Sequence, residues 1–91
     1  MYLNQLELMF KVAFEKEAQK EFLKLSDEVK NLIAHKILDL QSGNFTGDKA
    51  LRGKHKGKFR KRAGDYRIIY LRENGLLLIA IIRVAHRKEV Y

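Results

Sequence analysis

The chain contains no cysteine, which excludes a disulfide frame, a thiolate zinc site and a thiol nucleophile together. A chain without cysteine is compatible with a reducing cytoplasm, the compartment expected for it. Long apolar runs are also missing. The longest, Leu76 to Ile82, is seven residues, far short of the roughly 20 that a membrane-crossing helix needs. No basic region precedes an apolar stretch at the N-terminus, so no signal peptide is expected. No repeat, linker or low-complexity segment interrupts the 91 residues. With 46% hydrophobic and 33% charged residues the composition argues against disorder. A chain this short has room for one core. These absences leave a single small soluble basic domain over residues 1–91 as the expectation.

Acidic residues are scarce in one half only. Residues 1–50 hold seven Lys/Arg and eight Asp/Glu, whereas residues 51–91 hold twelve and three. The whole formal charge of +8 therefore originates in the C-terminal part. Its densest block is Arg52, Lys54, Lys56, Lys58, Arg60, Lys61 and Arg62, with no acid among them. Such a field attracts phosphate backbones. The plainer alternative is a solvated face or a docking surface for an acidic protein.

Periodicity predicts the elements. Met9–Phe14 alternates as a short strand, with Phe10, Val12 and Phe14 on one side. Phe14, Ala18, Phe22 and Leu25 then recur at helical spacing. Ser26-Asp27 offers a cap for a second helix whose stripe is Val29, Leu32, Ile33, Ile37 and Leu40, ending near Ser42-Gly43. Residues 43–56 read as a loop with Leu51 as an apolar anchor. Lys58–Ala63, Asp65–Arg72 and Leu76–Val84 read as strands, the last two joined by a tight Asn74-Gly75 turn. The order β-α-α-β-β-β predicts an α+β fold, a curved antiparallel sheet with an N-terminal helical hairpin packed on one face. Residues 1–8 fall outside this pattern and read as an N-terminal extension, an arm or a short helix.

Register turns the pattern into chemistry. With Ala63-Gly64 as a two-residue turn, Arg62 faces Asp65 and Arg60 lies opposite Arg67. Alternation then collects Arg60, Arg62 and Arg67 on one face and Phe59, Tyr66, Ile68 and Tyr70 on the other. With Asn74-Gly75 as the second turn, Ile79 and Ile81 join the aromatic face. Leu78, Ala80, Ile82, Val84 and His86 join the arginines. Like charges directly opposite destabilise a sheet, so three arginines on one face suggest that an anion binds there. The alternative is that they splay into solvent, with Arg62 neutralised by Asp65.

"LRGKHKGKFRKRAGDYRIIY" at 51–70 and "VAHRKEVY" at 84–91, with the apolar strand between them, resemble the RelE/ParE superfamily of toxins from type II toxin–antitoxin systems. The likeness is to the RelE/YoeB/HigB-like mRNA interferase branch and extends over residues 9–91. It implies a RelE-like domain acting as a ribosome-dependent endoribonuclease. Such a toxin cuts mRNA in the A site and arrests translation, without metal or other cofactor. The implied partners are a cognate antitoxin protein, in a toxin–antitoxin hetero-oligomer, and the ribosome with its mRNA, with no membrane. By position, the family's basic strand pair corresponds to Arg60 and Arg62, its arginine after Gly-Asp-Tyr to Arg67, and its C-terminal segment to His86, Arg87 and Tyr91.

RNA cleavage without metal needs a base for the 2′-hydroxyl, charge stabilisation at phosphorus, and an acid for the departing 5′-oxygen. Arginine binds phosphate bidentately and does not deprotonate, so Arg62 and Arg67 are assigned to phosphate binding and transition-state stabilisation. Arg60 and Arg87, with Lys54, Lys56 and Lys58, are expected to hold the RNA. His86 is the expected proton-transfer group, since histidine titrates nearest neutrality. Tyr91 is expected to stack a base or, with its acidity raised by the arginines, to share in proton transfer. The loop before the basic strand offers Asp48 and no glutamate; Asp65 and Glu89 are fallback carboxylates that read better as ion-pair partners. His35 is expected in solvent and His55 in the loop, and histidines so scattered suggest no metal site. Tyr66 and Tyr70 read as core, and Gly57 and Gly64 as backbone punctuation. Two other functions remain open: a ParE-like inhibitor of DNA gyrase, and a catalytically degenerate relative that only binds its antitoxin.

Overall fold

Residues 9–88 are described by the structure, a computed structural model. Strand β1 (Lys11–Phe14) leads into helix α1 (Lys16–Leu23) and helix α2 (Asp27–Gln41). A two-residue strand β2 (Lys49–Ala50) follows, then β3 (Phe59–Ala63), β4 (Tyr66–Glu73) and β5 (Leu78–His86). The five strands form one sheet in the order β1-β5-β4-β3-β2. The expected α+β fold with a helical hairpin is present, with two differences. The sheet is mixed rather than antiparallel, because the hairpin returns the chain so that β1 lies parallel to β5. Strand β2 was also not foreseen, since two exposed residues carry no periodic signal.

Local chemistry accounts for the helices. Ser26 Oγ accepts from the Val29 amide at 3.3 Å, and Asp27 and Glu28 occupy the first turn of α2, where the helix dipole favours them. The stripe read from sequence faces the sheet. Ile33 and Leu40 are buried, and Val29, Leu32 and Ile37 pack around them. From α1, Ala18 is buried and Phe22 packs against the same core. The sheet supplies Ala63, Ile68, Tyr70, Ile79, Ile81 and Val84. His35 lies exposed on the far side of α2.

Both hairpin turns differ from expectation. The β3–β4 turn is Gly64-Asp65, with Ala63 paired to Tyr66, so Arg67 lies opposite Arg62 rather than Arg60. Gly64 takes φ +62, a conformation that strains other residues, and a Cβ there would stand 3.1 Å from Leu32 Cδ2, so the Leu32 side chain would have to shift. The shift is two positions in pairing, so the faces assigned to the arginines and aromatics on these strands are unchanged. Asn74-Gly75 is not a two-residue turn. A short 3-10 turn covers Asn74–Leu76, and the left-handed position falls on Leu77 at φ +50, with Glu73 paired to Leu78.

The third departure reaches furthest. Strand β5 carries a bulge: Tyr70 pairs with Ile81 but Ile69 pairs with Arg83, leaving Ile82 as the extra residue. One extra residue reverses every later side chain. Val84 therefore lies in the helix-facing core, 1% exposed, and His86 sits opposite Tyr66. The expectation that Val84 and His86 share the arginine face is overturned, because simple alternation cannot reveal an inserted residue.

Candidate nucleic-acid interface

The sheet face turned away from the helices carries Arg60 and Arg62 from β3 and Arg67 from β4. Arg62 and Arg67 are direct cross-strand partners, and the next residue in that row is Ala85 of β5. Two cations are thus held side by side next to a side chain too small to cover them. Among the described residues neither has a carboxylate partner; Arg62 Nε donates only to the Gly64 carbonyl at 3.2 Å. Asp65, expected opposite Arg62, lies in the turn instead. Its carbonyl accepts from the Arg87 amide at 2.8 Å, extending the β4–β5 ladder by one bond. Its carboxylate stands 4.0 Å from Arg87 Nε, both side chains being well exposed, a pair of small energetic weight. Arg87 follows β5 in the turn, and this continued ladder bond gives it the same parity as Ala85, two positions earlier.

The floor beside this row is apolar. Ile69 and Ala85 are buried, with Ile82 and Leu51 packed over them. Leu51 is the loop anchor read from sequence, and it seats the basic loop on this face. Its amide bonds the Lys58 carbonyl at 2.9 Å, and the 3-10 turn Gly53–His55 projects Lys54 and Lys56 as exposed charges. Lys58 shares strand parity with Arg60 and Arg62. The geometry offers two guanidinium groups, carried at paired positions of adjacent strands, for bidentate binding of a phosphate.

His86 is not part of this constellation. Its ring meets Tyr66 edge-on at 5.4 Å and borders a cleft on the helix side with Glu21, Lys24, Leu25 and Val84. The Lys88 amide donates to His86 Nδ1 at 3.3 Å, which ties the imidazole to the turn that follows β5. Tyr91 and Glu89 lie outside the described residues. No three His, Cys, Asp or Glu side chains cluster as metal ligands would among the described residues.

A second group was missed from sequence. Lys61, in the middle of the basic block, points to the helix side and is 5% exposed. Its Nζ pairs with Asp48 Oδ1 at 2.9 Å, and Tyr70 Oη donates to Asp48 Oδ2 at 2.5 Å. The available signal was parity: Lys61 shares a face with Phe59 and Ala63, and the loop holds a single acid to pair with it. Around this triad Phe45 and Phe59 stack on Tyr70, and Arg72 lies over both phenyl rings at 4.3 and 4.9 Å. Asp48 thus fastens the basic loop to the sheet.

Burial, reinforced by the hydrogen bond to Asp48, raises the Tyr70 phenol far above its usual range. The folded protein holds the phenol neutral, so this contribution to stability is whole below about pH 10, where a free tyrosine titrates, and is lost as pH rises further. In an ultraviolet titration Tyr70 is expected to ionise only as the chain unfolds. Tyr70→Phe should flatten the alkaline fall in stability.

No helix among the described residues is long and apolar enough to cross a membrane. No curated protein matches the sequence. Solved structures similar to the chain include the toxin–antitoxin complex RelBE2 from Mycobacterium tuberculosis, at 28% identity and TM-score 0.79, covering 87% of this chain and 99% of that one. The intact RelBE toxin–antitoxin complex of E. coli matches at 25% identity and TM-score 0.69, covering 85% and 95%. The archaeal RelE–RelB complex of Pyrococcus horikoshii, at 20% identity and TM-score 0.75 over 90% and 99%, shares the fold. The family described as the ParE toxin of type II toxin–antitoxin systems, parDE, matches residues 10–91, and the chain belongs to that family.

Proposed function

We propose that this toxin is an endoribonuclease that cuts mRNA on the ribosome, with the scissile phosphate held on the outer sheet face by Arg62 and Arg67. The observation that carries this reading is the cross-strand arginine pair without a carboxylate partner among the described residues. In cleavage the 2′-oxygen attacks phosphorus, the bond to the 5′-oxygen breaks, and negative charge builds on the non-bridging oxygens. Paired guanidinium groups, brought to one place by the strand register, stabilise that charge. Arg60 and Arg87, with Lys54, Lys56 and Lys58, hold the flanking backbone. Proton transfer falls to Tyr91 in this reading, since His86 faces the helices. His86→Gln should accordingly change cleavage by no more than about threefold; a complete loss would return His86 to the reaction.

The partner proposed for the same face is a small antitoxin, as in the RelBE complexes. Acidic side chains on it would neutralise the arginine row and compete with RNA.

The family match favours one other reading, inhibition of DNA gyrase by binding. Purified toxin added to ribosomes programmed with a defined message separates the two. The expected result is new 5′ ends within the A-site codon, only when ribosomes are present, with gyrase supercoiling unaffected. Intact message together with blocked supercoiling would establish the second reading instead.

A further inference from the structure

Strand β1 ends at Phe14, paired with Ile81, and its last link to β5 is the Glu15 amide to the Ile81 carbonyl at 2.9 Å. Beyond Ile81, among the described residues, the edge of β5 passes from a neighbouring strand to the side chain of a helix residue. Glu21 of α1 reaches across, its Oε1 accepting from the Val84 amide at 2.8 Å. Its Oε2 takes Arg83 Nε at 2.7 Å and Arg83 Nη2 at 2.6 Å. One carboxylate thus grips both residues that follow the inserted Ile82.

We propose that Glu21 is a positioning residue: it locks the β5 bulge and so sets Arg87 on the arginine face. A slip that removed the bulge would turn Arg83 and Arg87 toward the helices and Val84 outward. Burial of Val84 opposes that slip, and the Glu21 clamp opposes it at the adjacent backbone. The clamp also draws the Arg83 guanidinium to α1, although the pairing of Arg83 with Ile69 gives it the parity of the arginine face. Glu21 therefore decides which cations of β5 reach the phosphate: Arg87 does and Arg83 does not. This inference rests on the proposed RNA site.

A double-mutant cycle tests it, using full-length toxin and a short 2′-O-methyl RNA, which binds without being cut. Glu21→Ala and Arg87→Ala should each weaken binding about tenfold. Combined they should weaken it little further, because both remove the same contact. Glu21→Ala combined with Arg62→Ala should multiply. Glu21→Gln keeps an acceptor for the Val84 amide and should retain most of the affinity. An unchanged affinity in Glu21→Ala, or losses that multiply with Arg87→Ala, would overturn the proposal. Amide exchange at Val84 separates this from the RNA reading. If the wild-type toxin bound no RNA, the RNA site would fall, while faster exchange at Val84 with Ile68 unchanged in Glu21→Ala would uphold the clamp. Unchanged exchange at Val84 would overturn the clamp.

Discussion

Arg67→Ala is expected to lower single-turnover cleavage of ribosome-bound message by about 10²- to 10³-fold, the usual effect of deleting one preorganised donor to a developing anion. The same substitution should leave the fold intact. Arg67 is half-buried and lies directly against Arg62, so its removal relieves a like-charge cross-strand pair worth roughly 0.2–1 kcal/mol. Activity and stability should therefore move in opposite directions, or stability should stay still. Arg67→Lys should recover little, since an ammonium cannot replace a planar fork bound bidentately. The check is a cleavage time course beside a thermal melt of each variant. Activity lost only in step with melting temperature would mean that Arg67 serves the fold rather than the phosphate.

The second large effect is on stability. Asp48→Ala strands the buried Lys61 ammonium and removes the acceptor of the Tyr70 hydroxyl. Breaking a buried ion pair by removing one partner costs about 3–5 kcal/mol, which for a domain near this size lowers the melting temperature by more than about 12 °C. Removing both charges is a different matter. Asp48→Leu combined with Lys61→Met avoids the uncompensated charge and should cost far less, because desolvation of the pair offsets most of its Coulomb attraction. Chemical denaturation of the single and double variants measures the difference. Equal losses in both would show that the cost lies in the orphaned Tyr70 hydroxyl, common to both variants, and not in the stranded Lys61 charge.

What was legible in the sequence follows from which signals are local. The α2 cap at Ser26, its stripe from Val29 to Leu40 and the strand faces around Arg62 and Arg67 all rest on short-range period, and the structure has them where that period puts them. The family resemblance rested on the spacing of 51–70 and 84–91 and is shown by the match over residues 10–91. The positions of His86 and Arg87 were not legible in the same way. They depend on Ile82, which looks like any residue of an apolar strand, and on Glu21, a helix residue separated from Val84 by 63 positions. Asn74-Gly75 misled for a related reason. The pair does lie in the β4–β5 connection, but the left-handed backbone falls on Leu77 and the turn is longer. Lys61 was hidden by its neighbours: in a run of basic residues, one that faces inward reads as one more surface charge until its partner, Asp48, is found 13 positions earlier.

The central claim is that the phosphate site lies on the outer sheet face and excludes His86. Nuclear magnetic resonance titration of the toxin with a short 2′-O-methyl RNA tests it most directly. The expected result is shifts concentrated at Arg60, Arg62, Arg67, Ala85 and Arg87, weakening steeply with added salt as phosphate contacts do. Shifts confined to Tyr66, His86 and the cleft beside Glu21 and Lys24 would contradict it and move the site to the helix side.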